Sequence, residues 1–249
     1  MIIYSTGEKG GVGKSTHATM LLDIMRCAGI KVAAFDCDRV NSTLTRMFCE
    51  RDENGERLTE QDPWKGVGQV NMGDAEEISV WSDQILLMAK KGHILVDFPA
   101  GTEGTLDMIR ERFRFDKYFK MAKLPWLLMF SFGGSAESVN LLGEMLENYG
   151  KSAQMAVILS DHFRPKMYNQ TRLPEVLAAM HGVEVHVPNW PDHIMQKVDM
   201  KGLLYSQAAK PGCGLTLAEV VQTEGYWEDT VEGFQPLIKL LGEENAAKN

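Results

Sequence analysis

No apolar run in the 249 residues approaches the ~20 needed to cross a bilayer as a helix. The four cysteines, Cys27, Cys37, Cys49 and Cys213, are scattered without any C-x-x-C spacing. That argues against a disulfide framework or a zinc site and for free thiols in a reducing compartment. The six histidines are likewise dispersed, with no metal-ligand spacing. Basic charge is in short supply: 26 Lys and Arg against 34 Asp and Glu give a net charge of −8. A chain so charged has no strong overall electrostatic grip on DNA or anionic lipid, which leaves only a local basic patch for such contacts. There is no internal repeat, low-complexity tract or clear linker, and the N-terminus "MIIYST" is too short and uncharged for a secretory signal. A single domain over residues 1–249 in the cytoplasm is therefore expected.

What is present is an ordinary globular composition, 44% hydrophobic and 24% charged, with enough apolar residues for a sizeable core. Short apolar runs at 1–6, 31–38, 93–101, 125–132, 153–160 and 183–188 read as buried strands. Helical periodicity falls between them, at 15–28, 76–90, 136–148, 171–181, 193–209 and 227–242. Gly29 stands where the first helix would be capped, and the polar, turn-rich "ERDENGERLTEQDP" (50–63) reads as an exposed excursion. Strands alternating with helices predict βαβ units, hence an α/β fold: one mostly parallel sheet of about 7–8 strands with helices on both faces.

Between the first strand and the first helix lies "GEKGGVGKST" (7–16). A glycine-rich loop there can aim successive backbone N–H groups at phosphate oxygens, with the helix N-terminus adding partial positive charge. Gly10, Gly11, Val12, Gly13, Lys14, Ser15 and Thr16 are the candidate nucleotide-binding residues. Lys14 would lie against the β- and γ-phosphates, and the Ser15 hydroxyl would complete a Mg²⁺ shell. The strict pattern G-x-x-x-x-G-K-[ST] asks for glycine at position 8, where this chain has Glu8. "KGGVGKST" instead resembles the deviant Walker A motif of the ParA/MinD family of P-loop ATPases, which carries a second lysine, here Lys9. The resemblance implies a P-loop NTPase fold, ATP and Mg²⁺ as cofactors, and an ATP-dependent homodimer in which Lys9 reaches across to the partner subunit's phosphates.

Two further motifs extend the resemblance over roughly the first 100 residues. "FDCDRVNST" (35–43) is similar to the family's switch I, which makes Asp38 the water-orienting carboxylate and a contributor to the metal shell, with Asp36 in support. "ILVDFPAG" (94–101) is similar to its Walker B and switch II, which implies that Asp97 contacts Mg²⁺ through water and that Gly101 frees the following loop. The catalytic candidates are thus Lys9, Lys14 and Asp38, and the metal candidates Ser15, Asp38 and Asp97. Asp161 and the loop at 188–192 occupy the places where family members read adenine. "DRVNST" and "FGGSAES" also resemble the TraL-type proteins of conjugative plasmids.

An ATP-hydrolysing switch that controls a partner protein or cargo is the function implied, in plasmid partition, conjugation or intracellular positioning. The alternative is an ATP-dependent ligase or amidotransferase of the dethiobiotin- or cobyrinate-synthetase-like branch. "RERFRFDKYFKMAK" (110–123) interleaves Arg110, Arg112, Arg114, Lys117, Lys120 and Lys123 with aromatics. It is either a docking patch, for DNA among other partners, or an amphipathic segment with its rings turned inward. The C-terminal "FQPLIKLLGEENAAKN" has Lys239 and Lys248 against Glu243 and Glu244, too little positive charge for a strong membrane anchor.

Overall fold

The computed structural model describes residues 1–8, 10–38, 41–99, 115–167 and 170–246. Among the described residues seven strands form one sheet: β1 Ile2–Gly7, β2 Val32–Asp36, β3 Gly68–Gln69, β4 His93–Asp97, β5 Trp126–Ser131, β6 Gln154–Ser160 and β7 Gly182–Val187. Their order is β3-β2-β4-β1-β5-β6-β7, and every pairing is parallel. Described helices are α1 Lys14–Cys27, α2 Thr43–Phe48, α3 Ala75–Ala89, α4 Phe115–Ala122, α5 Ala136–Tyr149, α6 Arg164–Met167, α7 Leu173–Ala178, α8 Asp192–Met200, α9 Tyr205–Ala208 and α10 Leu217–Ala246.

The strands are apolar almost throughout because both faces of the sheet are covered. Ile2, Tyr4, Ile94, Val96, Leu128 and Phe130 face one core, completed by α3, α4 and α5. Ile3, Leu95, Leu127, Met129 and Ile158 alternate onto the other, completed by α1, α8 and α10. In the first core Tyr4 stacks on Phe98 at 5.3 Å between ring centroids, and Trp126 meets Tyr149 edge-on at 5.8 Å. Such pairs each add about 1 kcal/mol beyond their buried area. Phe119 on α4 is buried among these rings while Lys117, Lys120 and Lys123 are exposed. The described half of the basic–aromatic segment is thus amphipathic, and Arg110, Arg112 and Arg114 lie outside the described residues.

Several local expectations change. The two-residue edge strand β3 has no apolar signature and was not anticipated. The helix expected at 193–209 is two helices, α8 and α9, separated by a turn in which Gly202 adopts φ +60°, a conformation costly for any other residue. The helix expected at 171–181 shortens to α7, and the last helix begins ten residues early, at Leu217. Gly29 does end α1, with φ +69° and the Ile30 N–H donating to the Met25 carbonyl at 2.9 Å. Phe234, Leu237 and Leu241 of α10 are fully buried, so the apolar stripe of the C-terminal segment packs on the sheet. Among the described residues no helix is long and apolar enough to cross a membrane.

Connections from β1 and β5, adjacent at the centre of the sheet, run to opposite sides, since β2 lies on one side and β6 on the other. A crevice opens beyond the carboxyl ends of the strands at such a switch point. Buried polar residues gather at that end: Ser5 and Thr6 on β1, Asp36 on β2, Asp97 on β4, Ser131 on β5 and Ser160 on β6.

Candidate functional site

The loop after β1 runs directly over this crevice. Gly11 (φ +86°) and Gly13 (φ +89°) hold left-handed backbone conformations that only glycine adopts without strain, and Gly13 is the N-cap of α1. Gly7 is required for a different reason: a Cβ there would lie 2.8 Å from the Ser131 carbonyl oxygen. Gly10 meets neither condition, so the conformational argument does not extend to it. Val12 is buried and turns away from the crevice toward the turn after β5, where a Cβ on Gly133 would lie 2.7 Å from its Cγ1. It anchors the loop. Lys9 lies outside the described residues.

A cavity of ≈ 200 Å³ follows, lined by Gly10, Gly11, Gly13 and Lys14 on one side and Asp38 and Asn41 on the other. Lys14, in the first turn of α1, is only 7% exposed. Asp97 ends β4 with zero exposure, and neither of its carboxylate oxygens has a hydrogen bond of normal geometry among the described residues. Burial pushes its carboxyl up to about 7, and the Asp36 charge adds to this. Ser15 and Ser5 lie close enough to pull the other way, as does Lys14. An anion so buried, with no full partner, is expensive. Two carboxylate oxygens beside a serine hydroxyl are also the hard-oxygen donor set that a Mg²⁺ shell draws on, so these residues fit that ion.

Asp36 is differently employed. Its Oδ2 accepts from the Thr45 N–H at 2.9 Å and the Thr45 hydroxyl at 3.0 Å, while Oδ1 accepts from the Asp38 N–H at 3.0 Å. It fixes the start of α2 and the course of the chain through Asp38. Asp38 in turn accepts from the Asn41 N–H at 3.0 Å and its carbonyl from the Ser42 hydroxyl at 2.7 Å. Gly101 lies outside the described residues.

Two contacts escaped the sequence reading. The Ser135 hydroxyl donates to Glu8 Oε2 at 2.8 Å and accepts from the Ser138 N–H at 3.0 Å as the N-cap of α5. The carboxylate of Glu8 is thereby drawn to a helix N-terminus, where negative charge is favoured, and away from the glycine cradle where phosphates would meet it. Similarly, His17 Nδ1 pairs with the Ser131 hydroxyl at 2.8 Å, with its ring directly beneath Gly13. Burial lowers the His17 pKa to about 4, so the ring is neutral and props the loop without adding charge. Ser135→Ala removes both the cap and the Glu8 anchor; it should lower stability by about 1–2 kcal/mol, measured by denaturant unfolding, whereas an unchanged midpoint would mean that Ser135 anchors nothing.

Across the loop from Asp38, a second cavity of ≈ 200 Å³ lies between Gly13, Thr16 and His17 and the ends of β6 and β7, where His162, Phe163, Asn189 and Trp190 line it. The loop at 188–192 therefore borders this cavity. Asp161 does not line the cavity; it pairs with Arg164 at 3.4 Å instead.

A parallel α/β sheet whose central strand feeds a glycine loop and a helix N-terminus, with buried aspartates at the neighbouring strand ends, defines the class of P-loop nucleotide-binding proteins. The family model of the CobQ/CobB/MinD/ParA nucleotide binding domain matches residues 3–233, and the chain belongs to that family. Among solved structures it is similar to MinD in the MinC:MinD cell division protein complex of Aquifex aeolicus: 17% identity over 93% of this chain and 94% of that one, TM-score 0.52. MinD of the same organism on its own gives 18% identity, coverage of 93% and 95%, and a TM-score of 0.51. A nucleotide-binding protein from Archaeoglobus fulgidus in complex with ADP gives 18% identity, coverage of 82% and 86%, and a TM-score of 0.46. At these identities the fold is what is shared. No curated protein matches the sequence.

Proposed function

We propose that the chain, as a single domain, is a cytoplasmic MgATP-dependent switch. It binds ATP in the glycine loop, pairs with a second copy face to face, and separates after hydrolysis, so that affinity for a partner or cargo follows the nucleotide. The observation that carries this reading is the fully buried carboxylate of Asp97, without a hydrogen bond of normal geometry among the described residues, beside Ser15 and Lys14. Such an arrangement is costly in isolation and is relieved by a cation and a phosphate.

In this reading the N–H groups from Gly10 to Thr16 hold the phosphates, and Lys14 offsets charge on the β- and γ-oxygens. Ser15 and Asp97, with Asp38 across the cavity, are the residues that would hold Mg²⁺, which when bound neutralises charge on the phosphate oxygens. Asp38, kept in place through Asp36 and Thr45, orients the attacking water. Lys9 completes the partner subunit's site. Asn189 and its neighbours in the second cavity take the base.

The test is molar mass by light scattering with ADP and with a non-hydrolysable ATP analogue, for the wild type and Lys9→Ala. The wild type should double its mass with the analogue alone, and Lys9→Ala should stay monomeric while still binding nucleotide. A wild type that remains monomeric with the analogue, or a Lys9→Ala variant that dimerises normally, overturns the paired-switch reading.

A further inference from the structure

The largest cavity among those described is not at the glycine loop. It has a volume of ≈ 720 Å³ and opens at the β3 edge of the sheet, between the excursion that precedes β3 and the exposed side of α3. The excursion is built, not loose. A bridge pairs Arg51 with Arg57, and the Arg26 guanidinium on α1 donates to the carbonyls of Lys65 and Gly66 at 2.6 and 2.7 Å.

Charge is concentrated here. Residues 50–84 hold ten Asp and Glu against Arg51, Arg57 and Lys65, a balance of −7 beside −8 for the whole chain. Glu76, Glu77 and Asp74 line the cavity from α3, and Arg57 is the one cation among its lining residues. Apolar surface is present too: Val80 on its rim is 59% exposed. Trp81, in the wall, is 3% exposed, and its indole N–H has no hydrogen-bond partner among the described residues. An acidic, partly apolar cleft suits a peptide bearing Lys or Arg. The long side-chain stems cover Val80, and the cationic heads meet the carboxylates. Nucleic acid and anionic lipid are repelled by the same charge.

The cleft is also wired to the nucleotide side. Arg57 donates to Gln69 Oε1 at 2.9 Å, Gln69 Nε2 donates to the Ser42 hydroxyl at 3.2 Å, and that hydroxyl donates to the Asp38 carbonyl at 2.7 Å. A cation arriving in the cleft repels Arg57 and competes for its position, and that disturbance passes along three side chains to the Asp38 loop.

We propose that the β3-edge cleft docks a Lys/Arg-rich segment of a partner protein, and that the Arg57–Gln69–Ser42 relay couples its occupancy to the Asp38 loop. The coupling half rests on the nucleotide-switch reading above; the docking half does not.

The experiment uses the full chain and fluorescence anisotropy of a labelled Lys-Leu repeat peptide at physiological ionic strength, with a Glu-Leu repeat as control. The Lys-Leu peptide should bind and the Glu-Leu peptide should not. Glu76→Lys combined with Gln84→Lys should weaken binding at least about tenfold. Glu144→Lys combined with Glu147→Lys, on the exposed side of α5, should leave it unchanged. Equal loss from both pairs, or no loss from the first, overturns the docking site. So does self-association of the peptide-free wild type that the first pair abolishes, since the occupant is then a second copy. With the non-hydrolysable analogue, peptide affinity should shift about fivefold in the wild type and not in Gln69→Ala. The same factor in both, or none in a wild type that binds the analogue, overturns the relay. Failure to bind a fluorescent nucleotide at all sinks the switch reading instead and leaves the nucleotide-free binding result standing.

Discussion

Lys14→Ala is expected to reduce ATP turnover by about three orders of magnitude, the upper end of what removing one preorganised charge from a transition state costs. The magnitude follows from where Lys14 sits. Only 7% exposed, its ammonium works in surroundings that screen it poorly, so its pull on a phosphoryl oxygen is much stronger than in water. The same burial makes a separate forecast about stability. Without nucleotide, the lost hydration of a buried ammonium largely offsets its attraction to Asp97, so Lys14→Ala should melt within about 1 kcal/mol of the wild type. The difference emerges with ligand. ATP at a hundred times its Kd should stabilise the wild type by about 2.7 kcal/mol and the variant hardly at all. Thermal unfolding with and without MgATP, run beside a phosphate-release assay, measures both effects. A variant that keeps wild-type turnover removes Lys14 from the phosphate site, whatever its melting temperature.

The glycine loop was legible because its chemistry is local. A phosphate-type loop needs left-handed glycines, a lysine and a hydroxyl within a single turn, that spacing is written in consecutive residues, and Gly11 and Gly13 have the left-handed backbone it calls for. The strands were legible for a related reason: burial on both faces leaves continuous apolar runs such as "HILVD" and "WLLMFS". What escaped was what depends on contacts between distant residues. Glu8 and Ser135 are 127 positions apart, and His17 and Ser131 are 114 apart. Nothing in either stretch alone announces the other. Glu8 looked like a departure from a glycine pattern, and only the cap of α5 explains how a carboxylate is tolerated beside a phosphate cradle. β3 was missed because two residues, one of them glycine, carry no period at all. The break between α8 and α9 was missed because apolar spacing continues on both sides of it, and a single glycine at φ +60° decides the matter.

Asp97→Asn should make the ligand-free protein more stable while removing its response to MgATP, and the sign of the first effect can be worked out. The Asp97 carboxyl sits near 7 in the folded chain because it is fully buried, against an ordinary value of 3.8. The folded state therefore holds its proton more tightly than the unfolded state does. Its contribution to stability is complete below about pH 4 and is lost progressively as pH rises to about 7, after which the folded protein carries a buried anion. The span between those values sets a ceiling of roughly 4 kcal/mol on the loss. Relaxation around the anion, including any approach of the Ser5 and Ser15 hydroxyls, brings the expected figure to about 2–3 kcal/mol. Asparagine has no charge to bury. Denaturant unfolding of the metal-free protein should thus show wild type and Asp97→Asn converging only below about pH 4, with the variant ahead by about 2–3 kcal/mol at pH 8. Adding MgATP should reverse the order, since the carboxylate that is a liability alone is the group that a cation relieves. If the wild type is the more stable of the two at pH 8 without metal or nucleotide, the buried carboxylate is satisfied within the chain itself, and the observation on which the nucleotide-switch reading most depends is removed.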